Sequence, residues 1–383
     1  MHKLSVVLLL CFAAVLALVC YRRPDPDQFD CWMYEAVVRT NLEHQDPASV
    51  YASIKAEPRM AVSSQFDSPT HMRQLAPLYT IKPAYVGAIA ILHRAGMPIQ
   101  QAIRGISAIS LFAIAIVLWL WTDAPMFSAL LLASPPVTGL ARSGTPDAFS
   151  SAMVIAAILA YVKEKTWLSV VLLIVAIWIR TDTVILALLV IAAAFFQERL
   201  RAWTALVVSA VAIASVLVID HVAGNYGWAV LFYTSFIAGR AGDITPHITA
   251  GLYLRAFATG LQPILNQASL WILLALVAWR QACRRDLLVV IALAVTAHFL
   301  LFPSGEVRYL VWSFLASGSL FILSVPRKLS GITSPTGGLL MRFLPFVRNR
   351  DLDRMFGYFL NLKPKSGVVV GSEPKKSRFS KRS

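Results

Sequence analysis

Apolar runs of about 15–20 residues recur along most of this chain, and a bilayer span needs about 20. That repetition constrains the fold more than any other feature. A segment in lipid has no water to satisfy its backbone N–H and C=O groups, so such runs must fold as helices. With 57% hydrophobic and 14% charged residues, the chain lies far from soluble globular composition. The expected fold class is all-α, a polytopic transmembrane helical bundle. The opening segment, "MHKLSVVLLLCFAAVLALVCYRRP", has the short basic start and apolar core of a signal peptide. No small-x-small cleavage site follows it, and its apolar run is long for a signal core, so we expect an uncleaved first span. Further spans are expected near 104–121, 125–141, 147–161, 167–180, 183–196, 203–219, 268–279, 287–302 and 309–325. That makes about ten.

Charge orients them. From Arg327 to Ser383 there are 13 Lys/Arg against 3 Asp/Glu, so +10 of the chain's +15 lies in this one tail. Cytoplasmic segments carry the Lys/Arg excess. The tail and the loops "KEK" (163–165), "QERLR" (197–201) and "RQACRRD" (280–286) are therefore expected inside, with both termini cytoplasmic. The turn "WTDAP" (121–125) falls on the same side without a basic residue. The chain then divides into a membrane domain, 1–326, and a basic cytoplasmic tail, 327–383, partly disordered and suited to anionic lipid. The tail has no nucleic-acid-binding module, so no nucleic-acid partner is expected. The four cysteines, Cys11, Cys20, Cys31 and Cys283, have no zinc or disulfide spacing.

A large first outer loop, about 22–103, holds most of the remaining interest. Its segment Tyr21 to Lys82 carries eight of the twenty acidic residues. Its later part, "PAYVGAIAILHR" (83–94), is too short to span and is expected to be a juxtamembrane helix. "ARSGTPD" (141–147), "IRTD" (179–182) and "FPSGEVRY" (302–309) fall on the same outer face. Ionisable residues thus gather on one side, at helix ends. A transporter would be expected to place them near the midplane; His298 is the nearest such residue and is expected to be a packing histidine.

This distribution suits moving a sugar off a polyprenyl-phosphate carrier. The phosphate leaves readily, so the site needs a carboxylate to take the acceptor's proton and fixed positive charge for the phosphate. Asp30 offers the first. Lys82, Arg180 and Arg308 offer the second, with arginine able to hold phosphate through two donors.

Four stretches resemble, in order, the GT-C superfamily of integral-membrane glycosyltransferases, nearest to its aminoarabinose and protein-mannosyl transferase branches. "FDCWMYEAVV" (29–38) resembles the first-loop motif and "YTIKPAYVGAIAILHRAGMPIQQAIRGISA" (79–108) the Lys-Pro juxtamembrane helix. "LLLASPPVTGLARSGTPDAFSSAMVIAAIL" (130–159) resembles the span and loop with a second acidic residue. "FPSGEVRYLVW" (302–312) resembles the late Arg-Tyr loop, with Tyr309. The resemblance covers roughly 20–325. It implies Asp30 as catalytic base or acceptor-orienting carboxylate, Asp147 as a second site carboxylate, and Lys82 and Arg308 as carrier-phosphate ligands. It also implies a lipid-linked sugar donor and a lipid, glycan or protein acceptor, with membrane lipids around them.

Plainer roles stand beside these. Asp25 and Asp27 compete with Asp30, which is preferred because Tyr34 follows at helical spacing and shares its face. Asp30 can be a solvated loop charge, Asp147 a helix-terminal charge, Arg180 with Asp182 a local ion pair, and Glu306 with Arg308 another. Lys82 can snorkel to headgroups. No cofactor is certain; a divalent metal near Asp30 and Asp147 stays open, though no ligand spacing demands one. The rival function is a non-enzymatic flippase or membrane carrier for lipid-linked glycans.

Overall fold

The computed structural model describes residues 2–24, 29–57, 68–237, 245–281 and 284–324, with no side-chain detail for residues 2, 266–274, 277–278, 280–281 and 324. Asp25, Asp27, Cys283 and the tail 327–383 lie outside the described residues. Among the described residues the chain is all helical, without a strand.

Helix α1 (His2–Arg22) buries the stripe Leu9, Ala13, Ala17 and Cys20 and leaves Leu4, Val7, Leu8, Val15 and Leu18 exposed. The buried spacing of four, four and three is one helical face. The opposite face is apolar and uncovered, as lipid contact requires. After it come α2 (Phe29–Val37), continued by a π-helical turn at Val38–Leu42, then α3 (Pro47–Lys55), α4 (Pro69–Thr80) and α5 (Pro83–Arg94). Each of the last three opens on proline, whose missing N–H costs nothing at a helix start. Asp46 caps α3 by accepting from the Ser49 N–H, and Ser68 caps α4 by accepting from the His71 N–H. Helices α4 and α5 meet at a sharp elbow, bent by 107° at Ile81–Lys82.

Next come α6 (Ile99–Thr122), α7 (Pro125–Ala133), α8 (Pro135–Arg142), α9 (Asp147–Val162), α10 (Thr166–Ile179), α11 (Val184–Phe196) and α12 (Ala202–Ala223). The last four among the described residues are α13 (Trp228–Phe236), α14 (Ala250–Gln281), α15 (Arg285–Leu301) and α16 (Val311–Ser324). Among the described residues three helices are long and apolar enough to cross a membrane, Lys3–Arg22, Ile99–Thr122 and Ala202–Ala223, and the bent pair Pro69–Thr80 and Pro83–Arg94 passes the same test only when taken together. Four more segments are apolar but shorter: Asp147–Val162, Thr166–Ile179, Thr181–Phe196 and Val307–Leu323. Helix α10 shows the same division as α1, with Val170, Leu173 and Ile177 inside and Trp167, Val171, Val175 and Trp178 outside.

One expectation is corrected. Residues 125–141 do not form one continuous helix. Ser134 is extended and is followed by Pro135 and Pro136, which cannot donate to the preceding turn, so the segment splits into α7 and α8.

Three apolar clusters hold the fold. One joins α1 and α6–α9 to α16, a second joins α9–α12 to α15 and α16, and the third binds α2–α5 to α6. Helix α9 begins, α10 ends, α11 begins, α15 ends and α16 begins at one end of this assembly, where Asp147, Arg180, Asp182, His298 and Arg308 meet. At the other end Arg199 donates to the Tyr161 carbonyl, and Gln197 donates to Asp286.

Two glycines permit the close approach that shapes the rim. A Cβ on Gly260 of α14 would collide with the Pro303 carbonyl, and one on Gly305 would lie 2.9 Å from Pro263. By contrast, a Cβ on Gly139 would meet nothing within 4 Å. We therefore expect Gly260→Ala to destabilise the protein by about 1–3 kcal/mol through overpacking. Gly139→Ala, within a helix, is expected to be neutral or stabilising by up to about 1 kcal/mol. Thermal unfolding in detergent micelles checks the pair; equal behaviour would show that the α14 contact is slack.

Candidate active site

The site is built from helix ends, and the loop before α9 is its hinge. Gly144 sits there with a φ of 57°, a left-handed conformation that glycine adopts without the Cβ penalty. Its carbonyl accepts from the Tyr85 hydroxyl at 3.0 Å and from the Cys31 thiol at 3.5 Å. The loop is thereby tied to α5 and α2. The turn then delivers Asp147 to the first turn of α9, where a negative charge is favoured. No side-chain hydrogen bond caps this helix, so the Asp147 carboxylate is directed elsewhere.

Asp147 is 3% exposed. One oxygen, Oδ1, is held by Arg180 Nη1. The other, Oδ2, accepts from the Thr145 hydroxyl at 2.6 Å and lies 3.6 Å from Arg308 Nε. A buried carboxylate is costly unless paired and hydrogen-bonded, and here it has both. Arg180 turns its remaining edge to Asp182 in a two-point contact, Nε to Oδ1 at 3.0 Å and Nη2 to Oδ2 at 2.6 Å. Asp182 Oδ2 lies 3.2 Å from His298 Nδ1. Arg308 Nη1 lies 3.0 Å from Asp30 Oδ2, and its Nε also meets Glu306. The Tyr79 hydroxyl donates to Asp30 Oδ1 at 2.7 Å. The guanidinium carbons of Arg180 and Arg308 stand 4.6 and 5.2 Å from the Tyr309 ring centre, within range of cation–π attraction.

The result is one alternating chain of charge: Asp30, Arg308, Asp147, Arg180, Asp182, His298. Seven candidates from the sequence, Asp30, Asp147, Arg180, Asp182, Glu306, Arg308 and Tyr309, meet in it. The local pairs Arg180–Asp182 and Glu306–Arg308 both form, but each arginine reaches past its neighbour to a distant aspartate. A pocket beside the chain is lined by Asp147, Arg180, Asp182, His298, Arg308 and Tyr309, with Val154, Leu186 and Trp312 as apolar walls. Its enclosed space is only about 20 Å³, about enough for one water molecule. The interior is narrow because the paired side chains occupy it.

Lys82 and Tyr34 sit differently from the ion-paired group of Arg180 and Arg308. The Lys82 ammonium, at the α4–α5 elbow, donates to the Leu78 carbonyl at 3.3 Å and lies 5.1 Å from the Tyr79 ring centre and 5.4 Å from that of Tyr34. Its pKa is lowered to about 8, chiefly because burial penalises the charged form, with Asp30 opposing. Tyr34 is 1% exposed, wedged edge-on between Tyr79 and Tyr85 with ring centres at 5.2 and 4.9 Å. It is core, and its ring packs against Tyr79, which holds Asp30.

Three contributors escape the sequence reading. Tyr79 is the residue that grips Asp30, and its place three positions before Lys82 is the only hint. Thr145 holds Asp147 from two residues away. His298, expected to be a packing residue, instead lines the pocket against Asp182; being the one ionisable group inside an apolar run was its signal. Among the described residues no group of three or more His, Cys, Asp or Glu is placed to hold a metal ion. No family model matches the chain, and no curated protein or solved structure matches it.

The pairing predicts unequal effects. Asp147→Asn leaves Arg180 short of a buried counter-charge and is expected to destabilise by about 3–5 kcal/mol. Glu306, whose side chain is 53% exposed, is expected to matter by less than about 1 kcal/mol when changed to Gln. Unfolding midpoints in detergent check the contrast, and equal losses would refute the shared-carboxylate arrangement.

Proposed function

We propose that the protein is a GT-C type glycosyltransferase that moves a sugar from a polyprenyl-phosphate donor to an acceptor at the extracytoplasmic membrane face. In this reading it is a bundle of about ten spans in the inner or plasma membrane, both termini cytoplasmic. The observation that supports it most is the convergence of Asp30, Asp147 and Arg308, distant in sequence, on one end of the helices. A carboxylate beside an arginine at a lipid-level rim is what lipid-linked sugar transfer needs.

The mechanism is a single inverting displacement. The acceptor hydroxyl gives its proton to Asp30 as its oxygen bonds to the sugar's anomeric carbon. The anomeric C–O bond to phosphate breaks, and that electron pair leaves with the polyprenyl phosphate. Arg308 and Arg180 meet the growing phosphate charge; donors fixed in a site of low dielectric are worth more there than in water. Asp147 keeps the two guanidiniums in register. Tyr79 holds Oδ1 of Asp30, so the acceptor meets Oδ2, which Arg308 releases as it turns to the phosphate. Lys82 adds positive charge behind the tyrosine pair.

Asp30→Asn is expected to lower turnover about 10²–10⁴-fold in an assay of sugar release from a polyprenyl-phosphate donor, with the protein still folded. Undiminished turnover would exclude Asp30 as base. The pH dependence has a defined sign. With its pKa near 8, Lys82 is charged below that pH and loses its charge above it. Donor affinity is therefore expected to fall as pH rises through about 8, and Lys82→Arg, which stays protonated, should move the fall to higher pH. An unchanged profile in that variant would assign the fall to another group.

A further inference from the structure

Among the described residues, both arginines of the charge chain are already ion-paired, so an incoming anion meets no unpaired guanidinium there. The four carboxylates of Asp30, Asp147, Asp182 and Glu306 stand against the three cations Arg180, Arg308 and Lys82, and both arginines already face at least two carboxylates each. A phosphate entering this pocket needs a carboxylate to withdraw or a proton to arrive. Glu306, the most exposed of the four, can withdraw to solvent. Among the residues that line the pocket, one group has an ordinary pKa close enough to neutral to take up that proton.

That group is His298. It is 9% exposed, and it lines the pocket with Arg180, Arg308 and Tyr309. Its Nδ1 faces Asp182 at 3.2 Å. A carboxylate only accepts, so Nδ1 carries hydrogen whether the ring is neutral or charged. The Nε2 atom is buried and has no hydrogen-bond partner. In the neutral ring it therefore presents a lone pair, which repels an oxyanion; in the charged ring it presents a donor. The groups that face His298 are Asp182 and Arg180 from the α10–α11 turn and Asp147 from α9. From the segment before α16, Tyr309 has its ring centre 6.2 Å from that of the histidine, and Arg308 lines the same pocket. None of these occupies Nε2.

We propose that His298 is a phosphate-contacting residue, taking up a proton at Nε2 as a prenyl phosphate monoester binds and donating a hydrogen bond to one of its oxygens. This rests on the glycosyltransferase reading and deepens it. The monoester is the product side of the transfer, which carries one more negative charge than the diester donor. A histidine that gains a proton only with the anion present balances that charge when it appears. Binding and protonation are then linked, each favouring the other by the same factor.

The experiment is isothermal titration calorimetry of the full chain in detergent with farnesyl phosphate at neutral pH. It is run in two buffers of different ionisation enthalpy, so that the heat reports protons taken up, with farnesol as the control for the prenyl tail. Wild-type protein is expected to take up about one proton more than His298→Gln, and the variant to bind on the order of tenfold more weakly, as loss of a charge-assisted hydrogen bond implies. An equal proton count in the two overturns the proposal, even if Arg308→Ala abolishes binding and so supports an anion site there. Farnesyl phosphate binding no better than farnesol to the wild type overturns both the proposal and the transferase reading. If His298→Gln does not fold, ¹⁵N-histidine NMR of wild-type protein reads the same proton directly. One Nε2 resonance should move to the protonated position on adding farnesyl phosphate, and no movement overturns the proposal.

Discussion

Everything at the rim of this protein depends on the Asp147 carboxylate being shared between two arginines from different parts of the chain. Arg180 comes from the end of α10 and Arg308 from the turn before α16, and the carboxylate lies between them, buried. A charge in that position must be compensated or neutralised. Once it is compensated by two guanidiniums, the positions of both are set, and with them Asp182, Glu306 and Asp30. The Gly144 turn that presents Asp147 is clamped from below by Tyr85 and Cys31. The loop helices and the bundle therefore meet through one small polar junction.

This junction explains why helices α2–α5 are tyrosine-rich and tightly packed. Tyr34, Tyr79 and Tyr85 form an edge-to-face row, an arrangement worth about 0.5–1.5 kcal/mol per pair beyond buried area. The row carries polar tips outward to specific partners: Tyr79 to Asp30 and Tyr85 to the Gly144 carbonyl. Lys82 rests over the same rings. An aromatic wedge thus transmits the position of α4 and α5 to the carboxylate that the proposed chemistry uses.

Much of the architecture was legible from residue order alone. The apolar runs fall on helices, the segment 83–94 is a separate helix, and ionisable residues at the helix ends meet at one end of the assembly. Asp30, Asp147, Arg180, Asp182, Glu306 and Arg308 could be named because charges at apolar helix ends are few and expensive. The break at Ser134 was also written in the chain, as two successive prolines, but a long apolar run hid it. The burial of Tyr34 was hidden for a different reason. Helical spacing shows that it lies near Asp30's side, not that a neighbouring element covers that side.

The sequence by itself determined that the chain is helical, lipid-compatible along its runs and charged at their ends. Those properties follow from local composition and from the need of each backbone group for a partner in its own segment. Only the tertiary structure decided which charges pair. Helices such as α10 and α11 are apolar on nearly every side, so their sequence does not reveal the rotation that points one end residue at another. Contacts between Arg180 and Asp147, Tyr79 and Asp30, or His298 and Asp182 exist because packing sets that rotation, and packing is a property of the whole assembly.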